Sequence, residues 1–255
     1  MNFSTWNVRT MMTGMNSTDD IDPENTDIRK TAVIDAELSR RRIDIAALQE
    51  TRLAGACSIS EMDYNFFWFG KAPEEPRIYG TGFAISKRLA NCTQTPYAVS
   101  DRISVLRLST KQGDIRIINA YAPTLAASAE DKDSFYCQLE DTIRDSSSSE
   151  RTILLGDLNA RVGSDHTSWP ECLGKFGVGK INDNGQRLLE LCSRNNLCVT
   201  NTLFPGKPHR KVSWCHPRSK TWHQLDFVII SQKHRQEVLN TRTYHSADCD
   251  TDHSL

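Results

Sequence analysis

The chain has 255 residues, 38% hydrophobic and 25% charged, with a formal net charge of −1 at neutral pH, which is typical of one globular domain with a sizeable core. No apolar run reaches the ~18 residues of a membrane-spanning helix and no signal peptide follows Met1, so we expect an intracellular protein, for which the nucleus stays open. The near-neutral charge argues against a protein that coats nucleic acid by bulk electrostatics, although it is compatible with a local basic groove.

The N-terminal part of the chain alternates strand-like and helical patterns. Residues 2–8 predict a short opening strand, and residues 9–27 predict a polar, mobile loop. Apolar side chains at helical spacing predict an amphipathic helix over 28–42, whose arginine-rich end suits the negative pole of the helix dipole. Residues 43–50 then predict a buried strand that ends in the carboxylate of Glu50.

The middle of the chain predicts mainly strands. Residues 64–69 and 81–86 are strand-like, and residues 103–108 and 115–120 predict the two arms of a hairpin. Tyr121 follows the second arm, so its phenol lies where a strand ends. The next predicted elements are a helix over 128–144 and a flexible surface connection at 146–149.

The stretch RTILLGDLNARVG at 151–163 carries the most informative strand end. An apolar run over 152–155 predicts a strand that is buried on both faces. Asp157 and Asn159 follow at a spacing of two, so in an extended chain both side chains point to one side of the sheet edge. This arrangement favours polar chemistry on a rigid support, and the alternative is that both residues only form a turn.

The C-terminal third predicts one helix and three strands. Asp183 and Gln186 resemble a capping box that opens a helix through Arg194. The predicted strands are 197–200 and a pair formed by 211–215 and 224–230.

Asp226 is the most anomalous residue of the sequence, because it lies inside the apolar run LDFVII. Burying an unpaired carboxylate is costly, so we expect Asp226 to have a partner, for instance a histidine. A purely structural role is the alternative. Ser213 and Trp214 with their basic neighbours predict either a DNA-contacting edge or a solvated hairpin face. Those basic residues are His209, Arg210, Lys211, Arg218 and Lys220.

The eight cysteines form no C-x-x-C pair, and several lie in apolar segments. We therefore expect free thiols and no disulfide-linked partner. A zinc site needs clustered cysteine and histidine ligands, for which the neighbours Cys215 and His216 are weak support.

Polar side chains mark the ends of several predicted strands and the last residues of the chain. Carboxylate and amide oxygens suit Mg²⁺, which keeps several waters and takes one or two protein carboxylates. A further carboxylate can orient an attacking water, and a histidine held by an aspartate can stabilise charge on a phosphate. The set therefore predicts a hydrolase of phosphodiester bonds that depends on Mg²⁺ or Mn²⁺. Its members are Asn7, Glu50, Tyr121, Asp157, Asn159, Asp226, Asp252 and His253.

Six motifs in order resemble those of the endonuclease/exonuclease/phosphatase superfamily over almost the whole chain. They are TWNVRT at 5–10, LQET at 48–51, NAYAPT at 119–124, LLGDLNARVG at 154–163, QLDFVIIS at 224–231 and TDH at 251–253. Their finer features are similar to endonuclease domains of RTE-type non-LTR retrotransposons and to the craniofacial development protein 2-like proteins derived from them. The resemblance implies an α/β fold, a two-sheet β-sandwich flanked by helices on both outer faces, with the site at one end.

The resemblance also implies roles for individual residues. Glu50 would be the principal Mg²⁺ ligand, with Asn7 and Asp252 nearby. Asp157 would position and activate the attacking water, and Asn159 would hold the phosphate or that water.

Three further residues complete the implied site. Asp226 would orient His253, which hydrogen-bonds the scissile phosphate, and Tyr121 would contact the phosphate or the leaving oxygen. Plainer alternatives exist for single residues: Asn7 as a turn residue, Glu50 as a surface charge, and Tyr121 as a packing residue whose hydroxyl lies in water.

Two departures from the family pattern bear on the function. Arg9 stands where apurinic-site endonucleases carry an acidic residue, which weakens a repair-enzyme interpretation. We also expect residues 1–255 to form one domain that lacks the closing C-terminal strand of the family. That loss would leave an open sheet edge and hold Asp252 and His253 poorly, as in a truncated or domesticated remnant.

Three functions are compatible with these residues. The first is a Mg²⁺-dependent DNA endonuclease that nicks one strand and leaves a 3′ hydroxyl. The second keeps the fold but hydrolyses phosphoinositides or other small phosphoesters. The third is a catalytically silent host protein that binds nucleic acid or a protein partner. The complete set of acidic residues favours the first.

Overall fold

The structure, a computed structural model, describes residues 1–12, 29–147 and 149–255. Within them, two large β-sheets pack face to face and three α-helices cover the outer faces, which confirms the predicted α/β sandwich. Most of the loop predicted over 9–27, with its expected mobility, lies outside the described residues. No helix in the described part of the chain is long and apolar enough to cross a bilayer.

Five strands form the first sheet: β1 (Phe3–Asn7), β2 (Ile45–Gln49), β3 (Ala56–Ser60), β4 (Tyr64–Phe69) and β5 (Thr81–Ser86). Their spatial order is β1-β2-β5-β4-β3, with β1 parallel to β2 and the other neighbours antiparallel. Helix α1 (Lys30–Arg40) covers the outer face, where Ile34 and Leu38 pack in one cluster with Trp6 and Leu48. Strand β2 is therefore buried on both faces, which explains its continuous apolar run.

Six strands form the second sheet, and two more form a small hairpin. In chain order they are β6 (Tyr97–Ala98), β7 (Ile103–Thr110), β8 (Gly113–Tyr121), β9 (Arg151–Asp157), β10 (Leu197–Val199), β11 (Trp214–Cys215), β12 (Trp222–His223) and β13 (Asp226–Ser231). The large sheet has the order β10-β13-β9-β8-β7-β6, and β11 pairs with β12. Helices α2 (Ala129–Arg144) and α3 (Asp183–Arg194) pack on its outer face. Short 3₁₀ turns occupy Lys87–Leu89, Thr200–Thr202, Pro208–Lys211 and Gln232–Glu237.

The core between the sheets consists of apolar side chains from both inner faces. Ile45 and Phe83 of the first sheet pack there with Leu106, Ile117 and Leu155 of the second, and all five are buried. Burial of such a side chain contributes about 1.5–3 kcal/mol, so this layer is a main source of the stability of the fold.

One buried polar residue also joins the two sheets. Asn119 of β8 donates through Nδ2 to the carbonyl oxygens of Leu48 (2.9 Å) and Gly82 (2.7 Å) in the first sheet. Its Oδ1 accepts from Gln49 Nε2 at 2.7 Å, and Gln49 Oε1 accepts from the Thr5 hydroxyl at 3.1 Å. These bonds align the carboxyl ends of β2 and β8, so the residues that follow the two strands lie close together.

Several predicted elements are confirmed, and the differences have local causes. The strands predicted over 64–69 and 81–86 have those bounds. The sequence patterns do not predict β3, whose side chains are mostly exposed, or β6, which has two residues. A strand without a buried face lacks the alternation on which the prediction depends.

The predicted pairing of 211–215 with 224–230 is wrong. Strand β11 pairs with β12, whereas β13 lies in the large sheet between β9 and β10. The apolar run of β13 is buried there, with a paired neighbour on both sides, and a two-stranded hairpin cannot offer that. The predicted helix cap is shifted by one residue. Asn182, and not Asp183, caps α3, because its Oδ1 accepts from the amide of Gly185 at 2.8 Å.

Candidate active site

Five strand ends bring predicted site residues to one end of the sandwich. Strand β1 runs parallel to β2, so Asn7 and Glu50 leave the first sheet at the same edge. Strand β8 runs parallel to β9, which places Tyr121 beside Asp157. Strand β13 runs antiparallel to β9 and begins at Asp226, directly opposite Asp157. The carboxyl ends of four strands therefore meet the amino end of a fifth.

Glu50 is at the centre of the first half of the site. Its Oε1 accepts from Asn7 Nδ2 and from the Tyr121 hydroxyl, each at 2.9 Å, and its Oε2 pairs with Arg52. The same Asn7 Nδ2 donates to Asp157 Oδ2 at 3.0 Å. Burial and the charge of Glu50 raise the pKa of the Tyr121 phenol far above its usual value, so the phenol stays protonated. One amide group thus bridges two carboxylates from different sheets.

Asp157, Asp226 and His253 form the second half of the site, and all three are buried. His253 Nδ1 lies 2.9 Å from Asp226 Oδ2, and its Nε2 lies 3.8 Å from Asp157 Oδ2. The indole of Trp6 donates to the His253 carbonyl oxygen at 3.3 Å, and the backbone of His253 forms a β-bridge with Trp214. The expectation that His253 is poorly held is therefore wrong, because contacts from both sheets and the hairpin fix it.

The charges in this buried group shift its pKa values. Burial and the charge of Asp226 raise the pKa of Asp157 above the usual aspartate value, and His253 offsets the rise only in part. Burial alone would lower the pKa of His253. The charges of Asp226 and Asp157, with the hydrogen bond to Asp226, outweigh burial and raise it. The cluster thus combines a carboxylate of raised basicity with an imidazole that holds its proton, a combination suited to proton transfer.

Asn159 and Asp252 lie at the margin of the site. The Asn159 backbone amide donates to Asp157 Oδ1 at 3.0 Å, while its side chain donates to the Ala122 carbonyl oxygen at 2.9 Å. Asp252 Oδ2 accepts from the Trp214 indole at 2.8 Å. Within the described residues, no side-chain hydrogen bond joins Asp252 to the other two predicted metal ligands.

The sequence patterns do not predict two contacts of the site. Arg52 and Glu50 have φ angles of 53° and 54°, in the left-handed region, and this turn brings the Arg52 side chain back onto Glu50. The position of Arg52 two residues after Glu50 is a signal that could have indicated the pair. No local signal marks the bond from Trp214 to Asp252, because 38 residues separate them.

The residues present fit a hard divalent cation. Glu50 offers a carboxylate, the kind of oxygen ligand that Mg²⁺ prefers. Asn7 turns its Nδ2 toward Glu50, and its Oδ1 accepts from the Arg9 backbone amide at 2.9 Å. In a second group, Asp157, Asp226 and His253 each bring a potential ligand atom within 4.8 Å of the other two. His253 and Asp226 bond to each other in that group, which suits an orienting pair better than two ligands of Mg²⁺. Glu50 is therefore the stronger candidate for the principal ligand.

A family profile matches residues 4–248, nearly the whole chain, and describes the Endonuclease/Exonuclease/phosphatase family. The chain belongs to this family. Membership confirms the family resemblance, and the matched residues contain five of the six motifs, all except TDH at 251–253. It places the chain among proteins that hydrolyse phosphoester bonds. Because the Endonuclease/Exonuclease/phosphatase family includes nucleases and phosphatases, membership alone leaves the substrate open.

The chain is also similar to a craniofacial development protein 2, the kind of protein that its sequence motifs resemble. Craniofacial development protein 2 of Bos taurus is 31% identical over 251 residues, which are 98% of this chain and 39% of that protein. The chain thus spans about two fifths of the length of the curated relatives it matches.

Two solved structures share the Endonuclease/Exonuclease/phosphatase fold with this chain. The 3′ phosphatase NExo from Neisseria, bound to a product DNA hairpin, has a TM-score of 0.65 at 15% identity, with 99% of this chain and 96% of that chain covered. The endonuclease domain of TRAS1, a telomere-specific non-LTR retrotransposon, has a TM-score of 0.60 at 15% identity, with 88% and 89% covered. At this identity the similarity concerns the fold.

Proposed function

We propose that this domain is a Mg²⁺-dependent DNA endonuclease that nicks one strand and leaves a 3′ hydroxyl. One observation carries the proposal: Asn7 Nδ2 bridges the carboxylates of Glu50 and Asp157, at 2.9 Å and 3.0 Å. A carboxylate that can hold a metal and a carboxylate that can accept a proton then lie side by side, as water attack on a phosphodiester requires. Mn²⁺ also takes oxygen ligands and would serve in its place.

In this proposal Glu50 is the principal metal ligand, with Asn7 and Asp252 nearby. When bound, the cation supplies positive charge that offsets the negative charge developing on the phosphate. The Tyr121 hydroxyl donates to Glu50 at 2.9 Å and keeps its proton because its pKa is raised. Its single proton can serve the phosphate or the leaving oxygen instead, when the hydroxyl turns away from Glu50.

Asp157 accepts the proton of the attacking water. Its raised pKa supports this role, because a general base works best when its pKa approaches the ambient pH. Asn7 fixes Oδ2 of this carboxylate, and the backbone amide of Asn159 fixes Oδ1 at 3.0 Å. The Asn159 side chain holds the phosphate or the attacking water.

His253 donates from Nε2 to an oxygen of the scissile phosphate. Asp226 holds Nδ1 at 2.9 Å, so the ring keeps one orientation with Nε2 on the side of Asp157. The raised pKa of His253 supports the role, since the donor must carry its proton when the substrate binds.

DNA is the proposed substrate, and the nucleus is the proposed location. The motif details shared with retrotransposon endonuclease domains favour a retrotransposon origin and a nucleic-acid substrate over a small phosphoester. Because the chain spans about two fifths of its curated relatives, the proposal concerns this domain and not a longer protein.

The experiment is nicking of supercoiled plasmid in Mg²⁺, with EDTA and with Asp157→Ala. We expect conversion to open circles that both treatments abolish. Asp114→Ala is the matched control, because Asp114 is an exposed carboxylate near the start of β8. If folded protein leaves the plasmid intact, the proposal fails. Release of phosphate from small phosphoesters would then indicate a phosphatase, and the lack of it a silent binding protein.

A further inference from the structure

Arg52 pairs with Glu50, and the proposed chemistry does not use its charge. Its guanidinium Nη2 pairs with Glu50 Oε2, and among the described residues this is the only ion pair that either side chain forms. The two other donors to Glu50, Asn7 and Tyr121, are neutral and both bind Oε1. The oxygen Oε2 is thus held by a cation alone.

The local backbone directs Arg52 to this position. Glu50 and Arg52 both lie in the left-handed region, which non-glycine residues rarely adopt, so the chain turns sharply where β2 ends. Two backbone bonds to the opposite strand end hold the turn, from Thr51 to the Gly80 carbonyl oxygen at 3.2 Å and from Arg52 to the Tyr79 carbonyl oxygen at 3.0 Å. The contact between Arg52 and Glu50 therefore follows from a fixed turn.

The Arg52 side chain, in contrast, can leave Glu50. It is 40% exposed, whereas the Glu50 side chain is 14% exposed. The Arg52 Nε has no hydrogen-bond partner among the described residues. The contact through Nη2 is therefore the main polar contact of the Arg52 side chain. A single partly exposed ion pair is weak compared with the attraction of a carboxylate for a divalent cation.

We propose that Arg52 and a divalent cation compete for the Glu50 carboxylate, and that the displaced Arg52 guanidinium binds a phosphate oxygen of the DNA substrate. The inference rests on the proposed function, since it takes Glu50 as a metal ligand. Two cations a few ångströms apart repel each other, so a cation on Glu50 drives the guanidinium toward solvent. A DNA substrate must approach the site from solvent, and guanidinium groups bind phosphates well. Arg52 thereby lowers the affinity for free metal and raises the affinity for substrate.

The test is a titration with Mn²⁺ in the absence of DNA, with free Mn²⁺ followed by electron paramagnetic resonance. We expect Arg52→Gln to bind Mn²⁺ roughly three- to fivefold more tightly than the wild type, on the scale of a partly exposed ion pair, and Arg52→Lys to stay near the wild type. Arg88→Gln is the matched control, because Arg88 forms a similar half-exposed pair with Asp44 at the opposite end of β2, and it should change nothing. Equal or weaker Mn²⁺ binding by Arg52→Gln would overturn the competition.

Nicking assays test the second half of the inference. In saturating Mg²⁺, we expect Arg52→Gln to raise KM for plasmid more than it lowers kcat, with rescue by Arg52→Lys. An unchanged KM would overturn the phosphate contact. Glu50→Gln separates this inference from the proposed function. If Glu50→Gln binds Mn²⁺ as well as the wild type, the metal assignment itself is wrong. If Arg52 competes with Mn²⁺ at Glu50 but the plasmid stays intact, the competition stands and the endonuclease does not.

Discussion

His253 Nδ1 and Asp226 Oδ2 are joined by a hydrogen bond of 2.9 Å although 27 residues separate them in the chain. Both side chains are buried, and Ser213 Oγ accepts from the backbone amide of Asp226 at 3.1 Å, which fixes the backbone that carries the carboxylate. The bond answers the expectation that a carboxylate in an apolar strand needs a partner. It also determines which nitrogen of His253 is left to face Asp157.

Asp226→Asn should test this relationship without changing the size of the side chain. The neutral amide removes the charge that raises the pKa of His253, so we expect the imidazole to lose its proton at a lower pH and nicking to slow by about 100-fold. The measurement is the pH profile of nicking, with melting temperature as the check of folding. A rate within threefold of the wild type, in a folded variant, would contradict the role of the pair.

Trp214→Phe should show whether the indole positions Asp252. The substitution keeps an aromatic ring but removes the donor that binds Asp252 Oδ2 at 2.8 Å, so we expect nicking to slow by about tenfold, the scale of losing one hydrogen bond to a charged group. Trp222→Phe on the neighbouring strand is the control, since Trp222 is 43% exposed and packs edge-on against His245. Equal effects of both substitutions would argue against a specific role of the indole N–H.

Asn119→Leu should weaken the connection between the two sheets. It leaves the carbonyl oxygens of Leu48 and Gly82 and the amide of Gln49 without their buried partner. Because each such group costs about 1–3 kcal/mol, we expect the free energy of unfolding to fall by at least about 2 kcal/mol. Urea denaturation measures it, and Asn240→Leu at an exposed position should change it by less than about 0.5 kcal/mol.

Gly156→Ala should disturb the strand that carries Asp157. A Cβ atom at this position would lie 2.0 Å from the carbonyl oxygen of Ala120, so β8 and β9 must move apart. We expect the free energy of unfolding to fall by about 1–3 kcal/mol, with a loss of nicking at temperatures where the protein stays folded. In Gly206→Ala the nearest atom, Lys211 Cε, is 3.8 Å away, so this control should be close to neutral. An unchanged free energy of unfolding in Gly156→Ala would contradict this close packing of β8 and β9.

The amino-acid sequence by itself determined those elements whose buried face produces a regular spacing of apolar residues. The strands over 64–69 and 81–86 and the apolar run that ends at Asp157 could be recognised because neighbouring side chains carry the signal. The sequence also indicated which polar residues lie close together, since polar groups directly after buried strands collect at a sheet edge. The six ordered motifs then indicated the family.

Only the tertiary structure decided which of these residues touch. The bridge that Asn7 forms between Glu50 and Asp157 spans 150 residues on one side, and it depends on how the two sheets align. The pairing of β11 with β12 and the exposed strand β3 leave no periodic trace either. Local sequence sets which conformations a segment prefers, but the partner of a buried polar group is set by sheet register and packing, which depend on residues far away in the chain.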